Sequence, residues 1–111
     1  MTSIPEQIAA RVVTAKELAR AALPPTLAAT VDMLKVGESL LAAMGGIEQV
    51  AWEEHLDNPE SRADAFAISA LIYGDISHSD WSVLDQHIRD RVASRRAFLR
   101  DQFGALDNSH S

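Results

Sequence analysis

Apolar residues recur at three- and four-residue spacing along most of the chain, and no alternation of apolar and polar residues persists. Three- and four-residue spacing places side chains on one face of an α-helix, whereas alternation is typical of β-strands. The pattern therefore predicts an all-α protein, a compact bundle of four or five helices in a single domain.

The first predicted helix runs from Ile4 to Ala22. Ser3 and Glu6 have the spacing of a capping box with Pro5 in the first turn, and apolar residues then share one face: Ile8, Val12, Ala15, Ala19 and Ala22. Pro24 and Pro25 should end this helix, because neither residue can donate a backbone hydrogen bond.

The second predicted helix begins near Pro25 or Thr26 and carries two apolar stripes. One stripe consists of Leu27, Val31, Leu34 and Leu41, and the other of Met33, Val36, Leu40 and Met44. The pair Gly45-Gly46 either ends this helix or lies inside a kinked one, since the second stripe continues in phase through Ile47 and Ala51. We expect a break.

A third helix is predicted from Pro59 to Tyr73, with Asn58 as its N-cap. After its first turn this segment is apolar on nearly all sides, so we expect it to be the central and most buried helix. Gly74 should end it in a left-handed conformation.

The segment YGDISHSDW (73–81) contains two carboxylates, an imidazole and two serine hydroxyls, but it is better interpreted as a corner between two helices. Ser77 is the predicted N-cap, with Asp80 as the acidic member of a capping box and Ile76 and Trp81 as a hydrophobic staple. The last helix then carries one long apolar stripe: Trp81, Leu84, Ile88, Val92, Leu99 and Phe103. Gly104 should stop it, which divides the chain into a helical domain (1–104) and a flexible tail (105–111).

Composition and charge exclude several functions. A net charge of −6 argues against direct nucleic-acid binding, which depends on a surplus of Lys and Arg. No apolar run approaches the roughly 20 residues of a membrane helix, and no secretory signal is visible. The absence of cysteine removes disulfides and thiolate chemistry. We expect a soluble, cytoplasmic protein that does not bind membranes.

Motifs for catalysis or cofactor binding are also missing. The chain has no glycine-rich phosphate loop, and the segment Glu53-Glu54-His55 lacks the second histidine of a zinc helix because Pro59 occupies that position. Helical metal sites of the carboxylate-bridged type use a Glu-x-x-His pair from each of two helices, whereas this chain has one related pair, Asp75 and His78. We predict no catalytic residues, no metal and no cofactor.

The distribution of charge is more informative. The segment from Gly37 to Ile88 holds ten acidic residues against one base, Arg62, whereas five arginines follow between Arg89 and Arg100. Arg95 falls within the apolar stripe of the last helix, and Glu38 falls within a stripe of the second. We expect these two residues to pair, or one of them to mark a helix contact within the chain or across a dimer.

The leading hypothesis for function is a small acidic module for protein–protein interaction: an adaptor, an inhibitor or an assembly factor. Its partner would be another protein or a second copy in a homodimer. The candidate partner-binding residues are Trp52, Glu53, Glu54, Leu56, Asp57, Arg91 and Arg95. A special form would use the acidic segment to mimic nucleic acid. The alternative is an enzyme or small-ligand carrier with a pocket between helices that uses His55, His78 or His87 and nearby carboxylates.

Overall fold

A computed structural model describes residues 3–109, with side chains as far as residue 102. The described chain forms five α-helices: α1 (Ile4–Ala22), α2 (Pro25–Asp32), α3 (Gly37–Gln49), α4 (Asp57–Ile72) and α5 (His78–Ser109). A 3-10 turn at Glu53–His55 lies between α3 and α4. The described residues contain no strand, and the prediction of an all-α bundle is confirmed.

The bounds predicted for α1 are confirmed. The Glu6 backbone N–H donates to the Ser3 hydroxyl at 3.3 Å, and the Ser3 N–H donates to the Glu6 carboxylate at 3.3 Å. At the other end, Leu23 adopts an extended conformation before Pro24. Local capping chemistry thus fixes both ends of the helix.

The predicted second helix is in fact two helices, α2 and α3. The connection between them is held by tight i to i−3 hydrogen bonds from Met33, Leu34 and Gly37. A Cβ at Gly37 would lie 2.5 Å from the Val31 carbonyl oxygen, so glycine permits this sharp turn. Each predicted stripe is therefore divided between α2 and α3, and Met33, at the C-cap of α2, is exposed.

The break expected at Gly45-Gly46 is wrong, because both glycines lie inside α3. A Cβ at Gly45 would come within 2.6 Å of the Ala15 Cα, and closer still to its carbonyl group. Gly45 therefore serves close packing of α1 on α3. The helix tolerates its low intrinsic propensity because the two backbones can approach.

The central helix is α3 rather than α4. It contacts α1, α2, α4 and α5, and most of its residues are buried, including Leu40 and Ile47. In α4, small side chains face the core, whereas Ile68, Ile72 and Tyr73 are exposed. The expectation that α4 is the most buried helix is therefore wrong, because its second apolar face has no covering element among the described residues.

The start of α4 also differs from the prediction. The helix begins at Asp57 with Leu56 as its N-cap, and no side chain caps it, so Asn58 lies inside the helix. Pro59 is buried in the first turn. Leu56 is both the C-cap of the 3-10 turn and the N-cap of α4, and its carbonyl accepts the first hydrogen bond of the helix, from the Glu60 N–H.

The corner between α4 and α5 matches the prediction at Gly74 and at the Ser77 N-cap. Gly74 has a φ of 76°, the left-handed conformation expected at a helix end. The Asp80 N–H donates to the Ser77 hydroxyl at 3.0 Å, but among the described residues no bond from the Ser77 N–H to the Asp80 carboxylate completes the predicted capping box. Ile76 is buried in the core cluster, and Trp81 packs against it. The acidic, serine-rich segment is therefore a structural junction.

The end of α5 lies beyond the predicted position. The helix continues through Gly104 to Ser109, so the stop predicted at Gly104 is wrong. A single glycine costs a helix only about 1 kcal/mol relative to alanine. The predicted division into a domain and a flexible tail stays a prediction, and residues 110 and 111 lie outside the described part of the chain.

Candidate interaction surface

The arginines of α5 hold the end of α3 and the 3-10 turn. Arg91 makes a two-pronged ion pair with Glu48, with N–O distances of 2.6 and 2.9 Å. Arg96 and Arg100 both reach Glu53, at 3.2 and 2.6 Å. The basic end of α5 and the acids facing it thus neutralise each other within the chain.

Arg95 does not pair with Glu38, which instead binds Lys16 at 2.8 Å. Arg95 donates two hydrogen bonds to the Val50 carbonyl oxygen, at 3.2 and 2.8 Å, and its guanidinium lies 4.7 Å from the centre of the Phe98 ring. Val50 caps the C-terminus of α3, where the helix dipole favours a cation. The half-buried Arg95 therefore marks a contact between two helices of one chain.

Ion pairing also sets the protonation of Glu53. The hydrogen bond from Arg100, with a smaller contribution from the charge of Arg96, holds the pKa of the Glu53 carboxyl below its ordinary value. Glu53 thus remains ionised, and its contacts are directed at α5.

The remaining predicted partner-binding residues differ in burial. Leu56 is fully buried in the core, so the expected exposed edge of Trp52 and Leu56 is wrong for Leu56. Trp52 is 49% exposed, and Glu54 and Asp57 are exposed beside it. The structure therefore leaves Trp52, Glu54 and Asp57 accessible, while Glu53, Arg91 and Arg95 are engaged by other parts of the chain.

A second surface, which the sequence analysis did not identify, lies on α1. Ile4, Ile8 and Val12 share the helix face of Ala15 and Ala19, which are buried. These three residues, the α1 stripe, are nevertheless 71%, 58% and 40% exposed. Their spacing was visible in the sequence, but the pattern alone predicted burial.

The exposure of the α1 stripe follows from the length of the neighbouring helix. Gly45 lies against Ala15, and the side chain of Gln49 reaches the Arg11 carbonyl at 3.5 Å, so α1 and α3 run antiparallel. Because α3 ends at Gln49, the part of α1 before Arg11 extends past it. The core-facing stripe of α1 thus continues beyond the helix that covers it.

An open groove of about 290 Å³ runs along the C-terminal half of α3. Its lining residues come from three helices: Ile8, Arg11, Val12 and Ala15 of α1; Ala42, Gly46 and Gln49 of α3; and Arg62 of α4. We call this the arginine groove. Its walls combine aliphatic side chains with two guanidinium groups.

Arg11 and Arg62 differ from the other basic residues. Of the ten Lys and Arg side chains, eight form an ion pair or a hydrogen bond within the described chain. Arg11 and Arg62 are exposed, and their side chains have no such partner among the described residues. Both unpaired cations lie in the same groove. The sequence gives no sign of this, because Arg62 is the one basic residue in a segment with ten acidic residues.

A larger cleft, of about 500 Å³, lies between α2 and α5. His87 lines it, together with Asp85 and Asp90. The Nε2 atom of His87 is buried and has no hydrogen-bond partner in the described structure. Burial, followed by the nearby charge of Arg91, lowers the pKa of His87, so the neutral imidazole is favoured.

The other candidate histidines do not join this cleft. His55 is exposed in the 3-10 turn, and His78 is exposed at the start of α5, where its ring lies 5.7 Å from that of Trp81. Within residues 3–102 no three His, Asp or Glu side chains are arranged to hold a metal ion. In the same part of the chain, no helix has the length and apolar character needed to cross a membrane.

Comparison with protein-family models, with characterised proteins and with solved structures finds no match to this chain.

Proposed function

We propose that this protein is a small helical module that binds another protein through the α1 stripe. The observation that carries the proposal is that the core-facing side of α1 continues from Val12 to exposed Ile4 and Ile8, which lie past the end of α3. Contiguous exposed aliphatic side chains on a regular helix are typical of a surface that a partner covers.

The accessible residues from the sequence hypothesis form a second, smaller contact region in this proposal. Trp52 offers a large aromatic surface, and Glu54 and Asp57 flank it with negative charge. Arg91 and Arg95 take a supporting part, since they hold the segment that carries Trp52.

The test compares two pairs of exposed isoleucines. Ile4→Gln/Ile8→Gln replaces the two most exposed residues of the α1 stripe. Ile68→Gln/Ile72→Gln replaces an exposed pair on the outer face of α4 and serves as the matched control. Glutamine is a good helix former, so both variants should stay helical. We expect the α1 variant to lose binding and the α4 variant to keep it.

Binding is measured in two ways with the full chain. Light scattering over a range of concentrations reports self-association, and affinity capture from the native cell, with the mass of the complex, reports another partner. A chain that stays monomeric and captures nothing contradicts the proposal. So does an α1 variant that binds as well as the wild type.

The cleft beside His87 favours a second candidate function, the binding of a small ligand. Its buried Nε2 has hydrogen-bonding capacity that the described chain does not use, and such capacity is costly unless a ligand or water satisfies it. A ligand library screened by thermal shift tests this candidate, because a specific ligand raises the melting temperature by mass action. Shifts that persist in His87→Gln would count against it.

A further inference from the structure

We infer that the arginine groove is a docking site for an amphipathic helix of another protein whose apolar face is flanked by acidic residues. This inference rests on the proposed function and deepens it by giving the chemistry of the partner. It starts from the position of Arg11 and Arg62, the two basic side chains without a partner in the described chain, in one groove.

Charge is the first reason. The protein has a net charge of −6, and eight of its ten basic side chains already have partners within the chain, most of them carboxylates. An acidic partner would be repelled by most of this surface. The arginine groove is the place within residues 3–102 where two uncompensated guanidinium groups can donate hydrogen bonds to carboxylates of a partner.

Shape and composition give the second reason. The groove is bordered by α1, α3 and α4, and small residues of α3, Ala42 and Gly46, line it. Along α1 the aliphatic surface continues from Val12 through Ile8 to Ile4. An elongated apolar track of this kind accommodates the apolar face of a helix, with anchors at three- and four-residue spacing.

The position of the charges agrees with a helical occupant. Arg11 belongs to α1 and Arg62 to α4, so the two guanidinium groups come from different helices that border the groove. A helix in the groove would meet them at the flanks of its apolar face. Acidic residues at those flanks would form charge-assisted hydrogen bonds, whereas basic residues would be repelled.

The α1 helix of a second copy does not have this charge pattern. Its apolar face is flanked by Gln7 and Arg11 on one side and by Ala9 and Lys16 on the other, and Glu6 lies on the opposite side of the helix. Two copies joined through the α1 stripes would therefore leave both arginines without carboxylates. The occupant that fits the charges is an acidic helix from another protein.

The test uses a synthetic peptide of about 18 residues, or five helical turns, with Leu at three- and four-residue spacing, Glu at the flanking positions and Ala elsewhere. Its matched control replaces every Glu with Lys. Fluorescence polarisation of the labelled peptides with the full-length protein measures affinity at low salt, and circular dichroism verifies that each protein variant is folded. We expect the Glu peptide to bind at least about tenfold more tightly than the Lys peptide.

Charge reversal in the protein provides the decisive arm. Arg11→Glu/Arg62→Glu should lower the affinity for the Glu peptide by about tenfold or more and restore binding of the Lys peptide. The control Lys35→Glu/Arg89→Glu changes net charge equally but alters residues outside the groove, and it should leave the ratio of the two affinities unchanged. Because Arg11 and Arg62 are exposed, their reversal should not unfold the protein.

The results separate this inference from the proposed function. Equal binding of both peptides, or no binding of either, overturns the acidic-helix inference. So does self-association that is lost in Ile4→Gln/Ile8→Gln and kept in Arg11→Glu/Arg62→Glu, since a second copy would then occupy the surface. That last result would leave the proposed interaction function standing.

Discussion

At the scale of single residues, Gly45 shows how tertiary contact overrides intrinsic propensity. Replacement of a helical glycine by alanine ordinarily stabilises a protein by up to about 1 kcal/mol. In this chain the new Cβ would come within 2.6 Å of the Ala15 Cα, so α1 and α3 must move apart. We expect Gly45→Ala to lower the free energy of unfolding by about 1 to 3 kcal/mol.

The neighbouring glycine is the natural control for that measurement. A Cβ at Gly46 would meet only the Pro59 Cβ, at 3.1 Å, a contact that a small shift relieves. Chemical denaturation should therefore show a smaller loss for Gly46→Ala than for Gly45→Ala. A Gly45→Ala protein as stable as the wild type would show that α1 and α3 are less closely packed than described.

His87 is the residue whose burial should make stability depend on pH. Because its pKa is lower in the folded protein than in the unfolded chain, the unfolded state takes up a proton first as the pH falls. The free energy of unfolding should therefore decrease as the pH drops below about 6.5. The contribution of His87 to this decrease should end once the pH is below the pKa of His87 in the folded protein. Asp90 and Glu48 oppose the shift, but burial and Arg91 outweigh them.

Thermal denaturation between about pH 7.5 and pH 5 tests this dependence, in a window above the titration of most carboxyl groups. His87→Gln removes the titrating group and should give a flatter profile. The other histidines are present in both proteins and cancel in the comparison. Identical pH profiles for the two proteins would contradict the effect ascribed to His87.

At the scale of helices, the end of α3 is held by Arg95 of α5. Two hydrogen bonds to the Val50 carbonyl satisfy a group that the helix itself leaves free and place a cation at the negative end of its dipole. Arg95→Met keeps much of the aliphatic stem but removes both hydrogen bonds. We expect it to lower the free energy of unfolding by about 1 to 2 kcal/mol.

Arg89→Met provides a comparison for Arg95→Met on the same helix. Arg89 pairs with Asp85 one turn away, at 3.1 Å on the surface, and an exposed pair of this kind contributes little to stability. Urea denaturation of the two variants should therefore separate them clearly. Equal losses would mean that the contact with Val50 contributes no more than an ordinary surface ion pair.

The helices that the sequence predicts well are those whose ends depend on nearby residues. The capping box of α1 and the Gly74–Ser77 corner are local, so their residues identify them without knowledge of the fold. The split between α2 and α3 was missed because Gly37 acts through the Val31 backbone rather than as a helix stop. The continuity of α3 was missed because it depends on Ala15, which is far away in the chain.

The same distinction applies to the candidate surfaces. Trp52, Glu54 and Asp57 are neighbours in sequence, so the sequence could group them as one candidate region, and the structure leaves all three exposed. The arginine groove joins Arg11 to Arg62, and only the packing of α1 and α4 around α3 brings those two residues together. The burial of Leu56 likewise depends on the whole fold.

At the scale of the whole molecule, stability and binding should depend on different parts of α1. Ala15 and Ala19 are buried, whereas Ile4 and Ile8, on the same face, extend beyond α3 and remain exposed. Ile4→Gln/Ile8→Gln should therefore change the free energy of unfolding by less than about 1 kcal/mol, within the range of ordinary surface substitutions. Leu40→Ala, which empties a fully buried site in α3, should cost about 2 to 5 kcal/mol.

Urea denaturation of these two variants, combined with the binding measurements, decides what the α1 stripe is for. A stable Ile4→Gln/Ile8→Gln protein that has lost its partner would show that the exposed isoleucines act in recognition. A loss of stability comparable to that of Leu40→Ala would instead show that the stripe packs within the folded chain. That result would contradict the described packing of α1, in which nothing within residues 3–102 buries Ile4 and Ile8.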